Sequence, residues 1–540
     1  MHIGLDFDNT LACYDRVFIQ AAQREHLLPK GWVGGKRTLR DFLRNLKDGE
    51  SAWQVLQGQV YGALMHQAQL MPGVSWFLMH CKARGAQVSI VSHKTEHSPK
   101  DPARVPLRDM ALQWMEQNEF FDPALYGIAR DNVFFESTRG EKISRISSIG
   151  CTHFIDDLPE VFNQRGFPSG ITKILYSPDE MYEQVPEAVH ICSDWSSIQS
   201  ILFGDESEED LLVITRALMP SFNVSRCERV PGGANSKVYK LSRPGRPNLA
   251  LKCYPAAARD PRNRLGTEVK ASRFLLDHGI RTGPSVLHSD QVNQVGVFEW
   301  IDGSSITLPD KKDLQGLVAF VSQLDELREA SGAQSFAPAS QACFSGQAIC
   351  QQIRSRRDKL GRVRIEYPEL HAYLRQEFDP LLAQVQDWVQ HHWPHDQTFD
   401  DELPGEYRTL SVSDLGFHNA LREKSGILRI IDLEYFGWDD PVKLASDLCW
   451  HPGMALDHQM RDDWIHAVTN IFIRDRLFTA RLRAAHPLYG LRWAMIVLNP
   501  FLATQIGNTP PVKTLHGQLE KSKALCRRTA LWIKNERYSF

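Results

Sequence analysis

The sequence predicts two consecutive units: an α/β unit on a parallel sheet at residues 1–203, then an α+β unit at residues 221–540 whose strands precede its helices. Three observations lead there. The chain has 540 residues, more than one hydrophobic core organises, so several domains are expected. Up to about Ser200, short apolar runs alternate with helical patterns, as βαβ units require. From Ser221 to Gly303 strand patterns dominate, and from there to Phe540 the pattern is mostly helical, interrupted near Leu410 to Leu433.

In the first unit Ile3-Gly4-Leu5, Gln87 to Val91, His153 to Ile155 and Ile171 to Tyr176 read as buried strands. Val74 to Ala83 and Leu107 to Gln117 read as amphipathic helices between them. The segment at about 15–71 has few strand signals and one break, Gly34-Gly35. It is expected to be a helical cap inserted between the first two strands, over the carboxyl edge of the sheet. The acidic run from Gly204 to Asp210 coincides with a change of pattern and marks a linker at 204–220, with a connecting helix near Leu211 to Met219. Residues 221–303 are expected to form a strand-rich lobe with one helix, and 304–540 a helical lobe.

Composition narrows the function. Hydrophobic residues make up 42% and charged residues 24%, an ordinary globular balance, and the net charge of −3 offers no basic surface for nucleic acid or anionic membrane. Small-molecule partners are the expectation. Ten cysteines without a CxxC pair read as reduced packing thiols. No basic-then-apolar leader stands in front of the first strand, and the apolar stretch Trp493 to Leu502 is short and broken by Asn499 and Pro500. A cytoplasmic location follows as an expectation; the oligomeric state is not legible.

Asp6-Phe7-Asp8-Asn9-Thr10 follows the first strand directly. Ligands of parallel α/β sheets bind at the carboxyl ends of strands, so both carboxylates are expected in the crevice. Asp6 suits attack on phosphorus, and Asp8 suits protonation of the leaving oxygen and activation of water. Ser92 ends the next strand and can hold a phosphate oxygen; Lys142 can neutralise nucleophile and phosphate. Asp156 and Asp157 end another strand and, with Asp6 and Asp8, are the expected Mg²⁺ ligands. These four motifs in order resemble the haloacid-dehalogenase (HAD)-type phosphohydrolase superfamily over residues 1 to about 200. The resemblance implies a Rossmann-like HAD fold with a helical cap and Mg²⁺-dependent phosphomonoester hydrolysis. The second Asp, Asp8, sets the chain apart from the dehalogenases.

In the second unit Gly232 and Gly233 lie in a hairpin whose backbone can approach phosphate; no GxxxxGK[ST] loop occurs. Lys252 sits in an apolar strand, and Glu268 follows in a helical stretch, a pair suited to positioning α- and β-phosphates. The run through Glu299 and Ile301 reads as a strand entering a nucleotide hinge. Asp414 and Asn419 have the D-x-x-x-x-N spacing of a kinase catalytic loop, and Leu428 to Glu434 is a strand ending in carboxylates. Asp414 suits acceptance of a hydroxyl proton; Asn419, Asp432 and Glu434 suit Mg²⁺ on ATP. Residues from about 221 to 540 resemble the aminoglycoside phosphotransferase and choline-kinase-like family, with Asp432-Leu433-Glu434 in place of DFG. Asp440-Pro441 and Ser446-Asp447-Leu448 match its downstream pattern, in which the later Asp braces the catalytic loop. The family often has His two residues before the catalytic Asp; here Val412 stands there, which bears on how the loop is braced. The resemblance implies a two-lobed protein-kinase-like fold. His391, His392 and His395 lack completing ligands and read as surface histidines.

The leading expectation is a bifunctional enzyme using Mg²⁺ and ATP: a phosphohydrolase for a small phosphate ester and a kinase for a sugar or amino alcohol hydroxyl, in sugar or cell-surface polysaccharide precursor metabolism. The alternatives are one active domain beside a regulatory or scaffolding one, and an aminoglycoside O-phosphotransferase.

Overall fold

A computed structural model describes residues 1–540 except 101–102, 179–187, 233–235, 256–259, 261, 364–366, 455, 504–509 and 536–540. The chain divides into two compact units, one of Met1–Arg262 with Ser289–Val297, the other of Asn263–His288 with Phe298–Phe540.

The first unit is built on six parallel strands: β1 (His2–Leu5), β2 (Gln87–His93), β3 (Val133–Glu136), β4 (His153–Asp156), β5 (Thr172–Tyr176) and β6 (Val189–Cys192), in the order β3-β2-β1-β4-β5-β6. β1 is central, with Leu5 opposite Ile90 on one side and Ile155 on the other, and both its faces are covered, which explains its lack of alternation. The two helices expected in this unit, Val74–Ala83 and Leu107–Gln117, have the predicted bounds. The strands β3 and β6, which the sequence reading does not contain, occupy the two edges and are only partly buried.

The insertion after β1 contains α1 (Asp15–Arg24), α2 (Lys36–Arg44) and α3 (Gly49–Tyr61). A two-residue ladder, Ala12–Cys13 against Gln69–Leu70, closes its base. Phe18 stacks on Trp53 at 4.8 Å and meets Tyr61 edge-on, so α1 and α3 share a small aromatic core.

The segment 204–220 holds a helix where the connecting one was expected. Helix α4 here denotes Val74–Ala83, and α5 denotes Glu208–Leu218, which begins with a Ser207/Asp210 capping box. Leu211 of α5 packs with Val224, Cys227, Leu241, Leu249 and Val297, and Trp76 of α4 lies against the same cluster. Glu206 is buried rather than solvated, accepting from Trp76 Nε1 at 2.7 Å, Lys237 Nζ at 3.2 Å and Tyr239 OH at 3.3 Å. Asp210 in turn pairs with Arg84 at 2.7 Å.

A five-stranded sheet follows: β7 (Arg226–Arg229), β8 (Lys237–Ser242), β9 (Leu249–Cys253), β10 (Val286–Asp290) and β11 (Val295–Glu299), in the order β10-β11-β9-β8-β7. The second unit carries α6 (Arg264–Asp277), small sheets β12 (Gly303–Ser305), β13 (Thr409–Ser411), β14 (Ala420–Glu423), β15 (Leu428–Ile430) and β16 (Gly437–Asp439), and a large helical body. Its core runs through the long helices Phe478–Ile496 and Val512–Asn535 and the wholly buried helix Pro441–Trp450. All ten cysteines are free, most of them buried. Among the described residues no helix is long and apolar enough to cross a membrane.

Candidate active sites

In the first unit the site grows from the end of β1. Asp6 N–H donates to Ile155 O at 2.9 Å, which extends the ladder one residue and buries the Asp6 carboxylate. The chain then turns tightly, with Leu11 N and Ala12 N both on Phe7 O and Asn9 at φ 61°, a left-handed conformation that Asn tolerates. Lys142 arrives from the first turn of the helix Arg139–Ser148, fixed by a Thr138/Glu141 capping box. Its Nζ donates to Asp6 Oδ1 at 2.5 Å and Asp156 Oδ2 at 2.6 Å. Asp6, Asp156 and Asp157 offer oxygens all within 4.8 Å of one another. Buried, hard oxygen donors in this number suit Mg²⁺.

Burial pushes Asp6 up to about 7, against the pull of Lys142, and the neighbouring Asp156 charge adds to the rise. Asp157 is raised by burial and by the Asp6 and Asp156 charges. Burial works against the Lys142 charge, but Asp156 and Asp6 more than reverse it, so the ammonium stays protonated. Such crowding of carboxylates around one cation is what a divalent ion relieves.

Asp8 departs from its expected place among the metal ligands. Its carboxylate accepts from Tyr14 OH at 2.5 Å and pairs with Lys94 Nζ at 2.9 Å, outside the cluster of three. Ser92 is buried as the next-to-last residue of β2, on the same face as Ile90, which pairs with Leu5. Sequence reasoning missed Tyr14, Lys94 and Lys36. Lys94 lies two residues past Ser92, just beyond the end of β2. Lys36 is brought in by the fold of the insertion, which no spacing rule encodes.

The second site surrounds the segment after β13. Asp414 N donates to Val412 O at 2.8 Å, and Ser413 sits at φ 64°. Ser413 Oγ donates to Ser340 O at 2.8 Å and receives Lys443 Nζ at 3.0 Å. Lys443 and Ser413 thus brace the loop just before Asp414. Asp447, expected as the brace, is gripped by Arg492 Nη1 at 2.9 and 3.0 Å and by Trp493 Nε1 at 2.8 Å, with Lys443 at 3.5 Å.

Asn419 Nδ2 donates to Asp414 O at 3.0 Å and Oδ2 at 3.3 Å, so the D-x-x-x-x-N pair meets in space. His418 Nε2 stands 3.2 Å from Asp414 Oδ1 and stacks on His451 at 4.2 Å, which in turn meets Trp493 edge-on. Burial raises Asp414, but the His418 hydrogen bond and the charges of His418, His451 and Lys443 outweigh it, and the net shift is downward. His451 is driven down to about 4 by burial and by His418. With 36% of its side chain exposed, Asp414 remains open to a substrate hydroxyl.

Glu268, Asp432 and Glu434 form a second oxygen cluster within 4.8 Å, fit for Mg²⁺. Glu434 also takes Arg264 Nη1 at 2.5 Å, a partner not foreseen. Asn419 stands outside this set; its amide faces Asp414. Glu299 uses its carboxylate on Ser285 N and Arg429, and Ile301 O accepts from Gly303 N, so the expected hinge is internally bonded. Lys252 is buried in β9 and Glu268 in α6. Their expected pairing spans the two units and stays an expectation. Gly232 has φ 107°, and Gly233 lies outside the described residues. His391 bonds its own helix and His392 stacks on Trp388; neither joins a metal cluster among the described residues.

Residues 226–478 match the phosphotransferase enzyme family, APH. This segment is a kinase-type phosphotransferase domain. Among solved structures the chain is similar to a choline/ethanolamine kinase family protein of Mesorhizobium loti, at 19% identity over 59% of this chain and 97% of that one, TM-score 0.40. It is also similar to a choline kinase of Streptococcus pneumoniae, at 14% identity over 58% and 98%, TM-score 0.40. An ethanolamine kinase of Plasmodium vivax is similar at 12% identity over 62% and 94%, TM-score 0.40. Likenesses of this size assign no substrate. A search of curated proteins finds no match to the chain. The family match begins at residue 226, so the reading of the front site rests on its own geometry.

Proposed function

We propose that the chain is bifunctional, with a HAD-type phosphomonoester hydrolase in front of the phosphotransferase domain, and that the latter phosphorylates a hydroxyl of a sugar or amino alcohol. The observation that supports the front reading is Lys142 lying 2.5 and 2.6 Å from Asp6 and Asp156, carboxylates at the ends of adjacent parallel strands. Asp6 attacks phosphorus and the ester P–O bond breaks; Asp8 delivers a proton to the leaving oxygen. Asp8 then takes a proton from the water that opens the aspartyl-phosphate. Asp6, Asp156 and Asp157 would hold a Mg²⁺ ion, which would neutralise phosphate charge when bound.

In the phosphotransferase domain Asp414 accepts the hydroxyl proton as the substrate oxygen attacks the γ-phosphorus of ATP, the bond from that phosphorus to the β,γ-bridging oxygen breaks and ADP leaves. Asn419 fixes that carboxylate through its 3.0 and 3.3 Å bonds. Glu268, Asp432 and Glu434 are the side chains suited to hold Mg²⁺ with the nucleotide, and Lys252 suits its α- and β-phosphates. The chemistry fits an intracellular step in sugar or cell-surface polysaccharide precursor metabolism.

The test uses the full chain with Mg²⁺, p-nitrophenyl phosphate, and a metabolite library with ATP. Asp6→Asn is expected to end phosphate release and leave ATP consumption intact, and Asp414→Ala to do the reverse. Unchanged phosphate release from Asp6→Asn refutes the front reading; unchanged transfer by Asp414→Ala refutes the back one.

A further inference from the structure

We propose that Lys36 is a positioning residue of the front site, acting through the Asn9 carboxamide to aim Asp157 at the Mg²⁺ seat it shares with Asp6 and Asp156. The inference rests on the phosphohydrolase reading and adds a residue of the insertion to its metal site.

The three carboxylates are oriented by different groups. Lys142 serves Asp6 on Oδ1 at 2.5 Å and Asp156 on Oδ2 at 2.6 Å, and Leu158 N donates to Asp156 Oδ1 at 3.0 Å. Asp157 Oδ2 accepts from Asn9 Nδ2 at 3.3 Å. A carboxamide can face a neighbour with its NH₂ or with its oxygen, and only the first suits a carboxylate. The group at the far end of Asn9 decides which. Lys36 Nζ donates to Asn9 Oδ1 at 2.6 Å, and an ammonium has protons to give and no lone pair. The oxygen therefore faces Lys36 and the NH₂ faces Asp157.

Both ends of this relay are fixed. Lys36 stands in the first turn of α2, and its Nζ also donates to Tyr61 OH at 3.1 Å. The rings of Tyr14, Phe18 and Tyr61 lie 5.7, 5.0 and 5.5 Å from it, and their faces attract the cation. Burial works against the Lys36 charge, yet Tyr61, Asp157 and Asp8 keep it protonated. Asn9 is held in the turn after β1, with φ 61° and its N–H on Ala12 O at 3.0 Å. Charge alone predicts the opposite effect on metal binding. A cation near a Mg²⁺ seat repels the ion, so deleting Lys36 would tighten binding if charge were its whole role. Loss of positioning loosens it instead, because groups that orient a metal's ligands contribute to its affinity. The two roles differ in sign.

The test titrates Mg²⁺ calorimetrically into the full chain without nucleotide, in an Asp432→Asn background that breaks up the second carboxylate cluster. Lys36→Met is expected to weaken Mg²⁺ affinity about tenfold or more, and Lys36→Arg, which keeps a charged donor, to stay within about twofold of the parent. Asn9→Gly accepts the φ of 61° and removes the carboxamide; it should weaken Mg²⁺ by itself, and Lys36→Met should then add nothing. In p-nitrophenyl phosphate hydrolysis the Mg²⁺ concentration for half-maximal rate should rise in Lys36→Met, while the rate at saturating Mg²⁺ is kept. Unchanged or tighter Mg²⁺ binding by Lys36→Met overturns the proposal. So does an equal further loss in the Asn9→Gly background, where Lys36 would be acting on the fold. Should Lys36→Met not fold, Asn9→Gly decides, and unweakened Mg²⁺ binding by that variant overturns the relay. If Asp6→Asn leaves phosphate release unchanged, the phosphohydrolase reading fails, while calorimetry still decides whether Lys36 governs the hold on Mg²⁺.

Discussion

Replacing Lys443 by Met tests the brace of the catalytic loop and the energetics of a buried pair together. Lys443 and Asp439 are both fully buried, with Nζ 2.6 Å from Oδ2, and the same Nζ reaches Ser413 Oγ at 3.0 Å. Removing the cation strands Asp439, whose carboxyl is already pushed up by burial and held only by Lys443 and a backbone N–H. Stranding one partner of a buried pair costs about 3–5 kcal/mol. Asp447 keeps Arg492 and adds little to the loss. For a domain of this size that corresponds to a fall of roughly 6–20 °C in melting temperature. The double variant Lys443→Met/Asp439→Asn removes the stranded charge and should recover most of the loss. The sign with pH is fixed as well. In the single variant native Asp439 holds its proton more tightly than the unfolded chain does, so stability should fall as pH rises above the ordinary Asp range and recover on acidification. Thermal scans at pH 5 and 8 measure this. A single variant melting within 2 °C of wild type, about 1 kcal/mol or less, would refute the reasoning.

Two further outcomes follow from the titrating groups. Asp6 is raised by burial to about 7, so between about pH 4 and 7 the folded first unit keeps a proton that the unfolded chain has lost, and its stability falls as pH rises through that window. Mg²⁺ should therefore raise the melting temperature more at pH 8 than at pH 5; an equal shift at both counts against the metal assignment. His418→Phe keeps the stack on His451 but removes the bond to Asp414, leaving burial to raise that carboxyl. The acid limb of the phosphotransfer pH–rate profile should move to higher pH, and an unmoved limb would show that His418 does not tune the base.

What could be read from the sequence is what local rules encode. β1, the helix Val74–Ala83 and the Asp6/Asp156/Asp157 and Asp414/Asn419 groups were legible because strand ends and loop spacings fix where such side chains point. The edge strands β3 and β6 were not, because edge positions are only partly buried and lose the apolar run that marks β1. Lys443 hid for a different reason: a lysine in helical sequence reads as surface, and only the tertiary pairing with Asp439 and Ser413 makes it interior. Lys36 depends on the packing of three short helices, which no motif announces.

The junction carries the last prediction. A run of seven residues from Gly204 to Asp210 with five acidic members reads as solvated, and a cut there looks like the natural way to separate the two activities. The structure argues otherwise. Glu206 accepts hydrogen bonds from Trp76 of α4 and from Lys237 and Tyr239 of β8, and His80 Nε2 lies 3.4 Å from it. Removing 204–220 strands the α4 face of Trp76 and His80 on one fragment and, with Leu211 gone, uncovers Val224, Leu241 and Leu249 on the other. Each fully buried aliphatic side chain is worth about 1.5–3 kcal/mol, so the uncovered cluster is comparable with the roughly 5–15 kcal/mol by which a domain is stable. A fragment of residues 1–203 is expected to melt well below the first unit of the full chain, and one of residues 221–540 to aggregate. If both fragments melt where the full chain does, the 204–220 segment is a linker after all; if they do not, point variants at Asp6 and Asp414, rather than truncation, are the sound way to assay the two sites apart.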